Sequence, residues 1–372
     1  MGGRNASTYD TTNDAFYLKY LAARLGAFSN VWWSMANEWN DVQCKSRGIN
    51  GTHLQSPSPV WDELFGILSA ADPWMQCCDH GCNCVNQRQT SIHNGNLLYN
   101  HSRSWITHVS LQGLEDRTPA IRAQYKKPVI WVSSAFFFFF CSASSNRRAE
   151  QDEVEYEGNI SAGWGQLSGL QEADRFWWGA SLGVFTGHSE TLLHADVQVD
   201  DDQPLWWAKG GQLIGQSPRR IAWLRSLQGL LFPSDLGSLT PTQEWFGTNA
   251  SQPAIPCNPH SKPLEHCPGG TPCPPSGVCP AHAPPVVANM LSGNHESFKF
   301  LHFMRNGSWS VPLGPAQSGK AWHMHTLDYW SMSNQTTVIG GPSVTINVTT
   351  EATHVGSRGG VNIVLRLETG EA

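Results

Sequence analysis

The chain has 372 residues, 40% of them hydrophobic and only 15% charged, with 24 Lys+Arg against 30 Asp+Glu for a net charge of -6. That length suffices for two ordinary domains or one large barrel with an appendage. The composition excludes a disordered chain and a coiled coil. There is no basic footprint for nucleic acid and no polybasic patch for a membrane surface. No apolar run reaches the ~18–20 residues of a membrane-spanning helix.

Residues 14–29 place apolar side chains at helical spacing, and the run from Val31 to Glu38 (VWWSMANE) follows as a buried parallel strand. The alternation then repeats. Residues 60–74 read as helix, 88–94 (RQTSIHN) as a short strand into a polar loop, and 104–113 (SWITHVSLQG) as another strand with a helix after it to Lys127. PVIW at 128–131 is strand-like, 170–183 helical, 184–191 (VFTGHSET) strand plus loop, and 217–231 a closing helix. Strands alternating with helices predict a parallel α/β architecture. Five strands fit part of a TIM (β/α)8 barrel better than a complete doubly wound sheet.

From about residue 241 the texture changes. Residues 252–285 are Pro-rich and hold Cys257, Cys267, Cys273 and Cys279, which reads as a linker or insertion. Short runs such as FKFLHFM and TTVIGGPSVTINVTT then alternate polar and apolar residues, as β-sandwich strands do. The expected division is a partial barrel over 1–240, a Pro/Cys-rich linker or insertion over 241–289, and a small β-sandwich over 290–372.

Ten Cys permit disulfides. Eight Asn-X-Ser/Thr sequons, at Asn5, Asn50, Asn100, Asn159, Asn249, Asn306, Asn334 and Asn347, point to a secretory history. Seventeen Trp with so few charges suggest an extracellular or carbohydrate-facing protein, because flat aromatic faces stack on sugar rings. The opening MGGRNASTYD has none of the regions of a signal peptide, so a start upstream of this Met is the expectation.

Two segments interrupt the pattern. Residues 132–151 split KPVIW from DEVEYEGNIS. They read either as a hydrophobic strand and loop or, the sharper reading, as a translated intron. Val-Ser can be encoded by a splice-donor sequence, five Phe codons form a pyrimidine tract, Gln can close an acceptor, and twenty codons keep the frame. Residues 75–86 (MQCCDHGCNCVN) lack the paired C-x2-C spacing of zinc modules, which favours disulfides or a gene-model artefact over zinc.

The chemistry centres on carboxylates. Asn37 and Glu38 follow a buried strand, and a carboxylate at the C-terminal end of a barrel strand sits where barrel active sites form. An adjacent Asn can donate to a sugar 2-hydroxyl. With 132–151 removed, Glu153 falls at the end of the strand PVIWDE, with Glu155 and Glu157 as rivals. Two carboxylates on opposite walls of one barrel mouth suit retaining glycoside hydrolysis, one protonating the leaving oxygen and the other attacking from ~5–5.5 Å. Substrate-binding candidates are Asn37, Trp33, His93, His108, Gln112, Tyr156, His188, Glu190, and the pair Trp206 and Trp207 as a sugar platform. Singly, His93, His108, Gln112, His188, Glu190 and the Trp pair each read more readily as satisfied structural residues. No cofactor or metal is required by this chemistry, and the expected partner is a polysaccharide or oligosaccharide.

In their order, the phrases YLAARLGAFSNVWWSMANEW, TSIHNG, SWITHVSLQ, KPVIW and DEVEYEGNI, RFWWGASLGVFTGHSET, LWWAKGGQLIGQSPRRIAWLR and HTLDYWSM resemble a group of glycoside hydrolases. That group has an apiosidase-like barrel of the retaining two-Glu clan, followed by a small β-sandwich domain of unknown function. The resemblance covers residues 1–231 and 290–350 apart from the interruptions. It implies strands four to eight of a (β/α)8 barrel, Glu38 at the acid/base position after strand four, and Glu153 at the nucleophile position after strand seven. Strands one to three are missing from the match, and 132–151 separates the strand-seven body from its Glu. The expectation is a secreted glycosidase acting on a plant- or algal-type polysaccharide, inactive if 132–151 is retained. The rivals are a non-catalytic carbohydrate-binding protein and a Cys-stapled extracellular structural protein.

Overall fold

The spacing of Leu18, Leu21 and Ala22 makes one buried stripe on helix α1, Thr11–Leu25. Here and below, the computed structural model describes residues 11–37, 39, 58–75, 88–94, 98–112, 115–131, 156–160, 165–192, 213–242, 288–292, 297–303, 307–315, 319–348 and 361–369. The interruptions at 76–86 and 132–151 and the stretch 252–285 lie outside them. Two units divide the chain, Met1–Val154 and Glu155–Ala372.

In the first unit α1 packs on α2 (Ser58–Ala71) through Leu18, Ala22, Trp61, Leu64 and Leu68. Strand β1 (Trp33–Ser34) pairs in parallel with β2 (Thr90–Ser91), Trp33 opposite Thr90. Strand β3 (Val109–Leu111) pairs in parallel with β4 (Val129–Trp131), Val109 opposite Val129. The two pairs join through a parallel bridge between His93 and Ser110 and the bond from the Thr107 N–H to the Thr90 carbonyl. Four parallel strands therefore lie in chain order, with α2 between β1 and β2. Helix α3 (Thr118–Tyr125) lies between β3 and β4, as parallel crossovers demand.

Side chains alternate across this array. Trp33, Met35, Ile92, Val109, Leu111 and Trp131 are buried. Trp33, Met35 and Ile92 join the α1–α2 core, and Trp131 Nε1 donates to Thr118 Oγ1 on α3 at 2.9 Å. Their faces are thus the helix side. The intervening residues Ser34, Ser91, His93, His108, Ser110 and Gln112 make the opposite face mostly polar, with Ile130 of β4 beside Ser110 as an apolar member.

A buried ion pair locks the helix side. Arg88 Nε lies 2.6 Å from Asp72 Oδ2, which also accepts from Trp33 Nε1 at 2.7 Å. The same guanidinium donates to the carbonyls of Phe28 (2.6 Å), Val31 (3.2 Å) and Gly26. The turn between α1 and β1 thus finds its hydrogen-bond partner in Arg88.

The second unit opens with β5 (Glu157–Gly158), followed by α4 (Gly169–Ser181), β6 (Phe185–Thr186) and β7 (Glu190–Thr191), which pairs in parallel with β5. A capping box starts α4: the Gln171 N–H donates to Ser168 Oγ, and the Ser168 N–H donates back to Gln171 Oε1. Pro218 sits at the start of α5 (Ser217–Leu231), where a missing N–H costs nothing.

Strands β8 (Thr240–Thr242), β9 (Ala288–Ser292), β10 (Phe298–Phe303), β12 (Lys320–Asp328), β13 (Ser333–Ile339) and β15 (Val361–Thr369) form an antiparallel sheet in the order β13-β12-β15-β10-β9-β8. Between them in sequence, β11 (Gly307–Pro312) and β14 (Ser343–Val348) form a two-stranded ribbon. One sheet face sends Phe298, Phe300, Leu327, Tyr329 and Val364 against Ala173, Phe176 and Trp177 of α4 and Leu224 and Leu227 of α5. The other sends Leu301, Phe303, Trp322, Ile363 and Leu365 against Trp309, Val311, Ile346 and Val348 of the ribbon.

The fold is mixed α/β. No closed barrel is found among the described residues. Opposite the six-stranded sheet the second β-layer is a two-stranded ribbon, short of a full sandwich.

Candidate functional site

The C-terminal ends of β1, β2 and β3 bring polar side chains together. Past β1, the Ala36 carbonyl accepts the His93 N–H at 3.1 Å, and the His93 carbonyl accepts the Trp39 N–H at 3.0 Å. This ladder sets Asn37 beside His93, whose Nδ1 lies 3.2 Å from Asn37 Oδ1. With the amide oxygen accepting, an imidazole proton sits on Nδ1. One residue on, Asn94 Nδ2 donates to the Gln112 carbonyl at 2.9 Å and Asn94 Oδ1 accepts the Gln112 N–H at 3.3 Å. The Asn94 side chain continues the β2–β3 ladder beyond its last backbone bond, fixing Gln112 at the strand end. Asn37 is exposed, while His93, Asn94 and Gln112 are buried.

His108 shares the polar face but lies two residues before Ser110, the partner of His93, or about 7 Å back along the strand. Its Nδ1 meets Thr107 Oγ1 at 3.1 Å, and its ring centroid lies 5.6 Å from that of Trp32. Burial pushes its pKa down to about 4, so at neutral pH it is an uncharged imidazole. Trp33 points the other way, into the helix-side core.

The second unit holds a cluster of three buried carboxylates. Pairing of β5 with β7 sets Glu157 directly opposite Glu190, an arrangement that repels if nothing compensates. Four consecutive backbone N–H groups compensate. Those of Ile214 (2.8 Å) and Gly215 (3.0 Å) donate to Glu190, and those of Gln216 and Ser217 donate to Glu157 Oε1 and Oε2, each at 2.8 Å. The last two belong to the N-terminal end of α5, where the helix dipole also favours an anion. A Cβ at Gly215 would overlap the carboxyl groups of both Glu157 and Glu190, so the close approach requires glycine.

Glu172, on α4, is the third. Its Oε2 accepts from the Glu157 N–H at 2.8 Å and from Ser217 Oγ at 3.1 Å. Burial, reinforced by the charges of Glu157 and Glu190, pushes its pKa up to about 8, against the pull of those two donors. At neutral pH it is mainly the protonated acid. Burial lowers the pKa of His188, partly offset by Glu157, so the His188–Glu172 couple is neutral on both sides.

Ser217, His188 and Glu172 have the residue types of a nucleophilic triad without its geometry. His188 Nε2 faces both Ser217 Oγ (3.1 Å) and Glu172 Oε1 (3.5 Å), whereas a triad engages its two partners through different ring nitrogens. Ser217 is fully buried and spends its proton on Glu172. Among the described residues no group of three or more His, Cys, Asp or Glu is arranged to hold a metal ion.

Of the residues singled out in the sequence, Asn37, His93 and Gln112 converge at the strand ends. His108 lies deeper on the same face and Trp33 on the opposite one. Tyr156, His188 and Glu190 belong to the second unit, Tyr156 and Glu190 buried and His188 partly so. Glu38, Glu153, Trp206 and Trp207 lie outside the described residues. Sequence reading passed over Asn94, although it adjoins His93 in SIHN, and Glu172, whose burial only the sheet and α5 reveal.

No family model matches the chain, and no curated protein matches it. Among solved structures it is similar to a candidate glycoside hydrolase from Bacteroides vulgatus ATCC 8482, with 22% identity and a TM-score of 0.55 over 97% of this chain and 57% of that one. It is also similar to a glycoside hydrolase with 11% identity and a TM-score of 0.57, over 96% and 69%. A third is a family 5 glycoside hydrolase from Bacteroides vulgatus ATCC 8482, with 12% identity and a TM-score of 0.55, over 95% and 66%. The chain thus has a glycoside hydrolase-like fold. It spans little more than half the length of the first of these structures and about two thirds of the other two.

Proposed function

We propose that this chain is part of a secreted glycosidase that cleaves O-glycosidic bonds of a plant- or algal-type polysaccharide with retention. The observation that carries the reading is the cluster of hydrogen-bonding side chains, Asn37, His93, Asn94 and Gln112, at the C-terminal ends of successive parallel strands. Carbohydrate hydroxyls are matched by such groups, and barrel enzymes bind substrate at that end. In this reading the first part of the chain is an arc of an apiosidase-like (β/α)8 barrel, strands four to eight, and the residues from 290 onward are its small β-sandwich companion. Residue 38, directly after Asn37, is the acid/base. It protonates the departing sugar oxygen and then activates water, while Glu153 attacks the anomeric carbon. His93, held by Asn37, and Gln112, held by Asn94, orient the sugar.

The test is hydrolysis by a chain whose message joins Trp131 directly to Asp152, compared with Glu38→Gln and Glu153→Gln. Each variant should lose at least about 10³-fold in kcat, and the first-formed product should keep the anomeric configuration of the substrate. Activity that survives both substitutions refutes the assignment. One observation favours a second reading, a carbohydrate-binding protein without hydrolysis: Asn37, His93, Asn94 and Gln112 can bind a sugar with no help from either acid. Glycan binding that survives His93→Ala but no hydrolysis in the corrected chain would refute both readings of the site. Binding lost in His93→Ala, without hydrolysis, would select the second.

A further inference from the structure

Among the described residues strand β13 is an edge of the six-stranded sheet, hydrogen-bonded to β12 alone, and six of its seven residues are exposed. Val338 is 63% exposed. Such an edge offers a row of open backbone groups to any other strand, and proteins blunt it with charge, proline, a bulge or a cover. β13 reads SNQTTVI, with no charge and no proline, and it keeps a regular one-to-one register with β12 from Asp328–Ser333 to Trp322–Ile339. β14 (SVTINV) has the same character and, among the described residues, pairs only with β11. From Ser333 to Thr350 the chain has no charged residue and no histidine. Uncharged, β-rich segments on open edges are the usual sites of strand-to-strand aggregation.

What these two strands carry instead is a pair of sequons, Asn334-Gln335-Thr336 on β13 and Asn347-Val348-Thr349 at the end of β14. Both Asn side chains are exposed. We propose that Asn334 and Asn347 are N-glycosylated, and that their glycans cover the two open edges in place of charge. The donor is an oligosaccharide on a polyisoprenyl pyrophosphate. The Asn amide nitrogen attacks the anomeric carbon, a C–N bond forms as the C–O bond to the pyrophosphate breaks, and the amide releases one proton to the transferring enzyme. The Thr336 hydroxyl lies 3.0 Å from His325 Nδ1 on β12, so transfer at Asn334 precedes closure of the β12–β13 hairpin.

Secretory expression of the full chain behind a cleavable leader in yeast tests this. Enzymatic glycan release in heavy-oxygen water, followed by peptide mass spectrometry, should find labelled Asp at positions 334 and 347. Light scattering should give a monomer for the glycoprotein. For Asn334→Gln/Asn347→Gln the mass should rise at least about twofold, and Thr337→Lys added to that variant should restore the monomer. Trimming the glycans of the already folded protein to one sugar should produce the same self-association, which separates edge pairing from misfolding. Unmodified Asn334 and Asn347 in secreted protein, or trimmed and double-variant proteins that stay monomeric, would overturn the proposal.

Discussion

Replacing Glu172 with Gln isolates the cost of burying one acid beside two others. The pKa of Glu172 rises from 4.5 to about 8 on folding, mainly because burial disfavours the charged form. A value raised on folding means stability that is complete below about pH 4.5, drains as pH rises, and is gone above about pH 8. At about 1.4 kcal/mol per pH unit the full loss is about 5 kcal/mol. Gln reproduces the protonated acid. Its oxygen can accept from the Glu157 N–H and Ser217 Oγ, and its amide can donate toward His188 Nε2. The stability difference between variant and wild type should therefore grow in favour of Gln by about 3.5 kcal/mol between pH 5 and pH 8. Histidines elsewhere cancel in that difference. Denaturant titrations of the full chain at pH 5, 6.5 and 8, followed by Trp fluorescence, measure it. A difference independent of pH, or a Gln variant that falls further behind as pH rises, would mean that Glu172 is an ionised partner and not a neutral one.

Arg88→Met leaves the Asp72 carboxylate buried without its cation and should cost about 3–5 kcal/mol of stability by thermal unfolding. Gly215→Ala pushes a methyl group into the carboxyls of Glu157 and Glu190, and a loss of about 1–3 kcal/mol is expected in the same assay. Trp177→Ala empties the center of the core between α4, α5 and the sheet, at about 3–5 kcal/mol. His101 has its pKa lowered to about 4, chiefly by burial. A value lowered on folding means stability present above about pH 6.5 and lost as pH falls toward 4. His101→Asn should abolish about 2.5 kcal/mol of that acid sensitivity, read from denaturation midpoints at pH 4.5 and 7.

Much of the secondary structure was legible because local signals and packing agree. The stripe Leu18–Leu21–Ala22 is buried on α1, and the short apolar runs at 88–94, 104–113 and 128–131 each contain a strand. The phrase VFTGHSET divides into β6 and β7, with Gly187, His188 and Ser189 between them, a break that alternation alone does not mark. Side-chain direction was harder to read. Trp32 and Trp33 are equivalent in composition, yet period two sends one to the polar face and the other onto Asp72. In α4, Glu172 and Asp174 look like the solvent side of an amphipathic helix. Both are buried, because β5 and α5 close over the first and Tyr329, from the C-terminal sheet, donates to the second at 2.9 Å. Burial of that kind comes from segments 15 and 45 residues away for Glu172 and 155 residues away for Asp174, and it leaves no trace in the helix's own pattern.

In the first unit each strand pairs with the one made immediately before it, with partners 57 residues apart for Trp33 and Thr90 and only 20 for Val109 and Val129. Such short closures let the array grow in the order of synthesis, each new strand docking on a finished edge. The pairings of β1 to β4 with one another are complete once Trp131 has emerged. Residues 132–151 follow directly after that point, so these four strands have found one another before the rest of the chain is made.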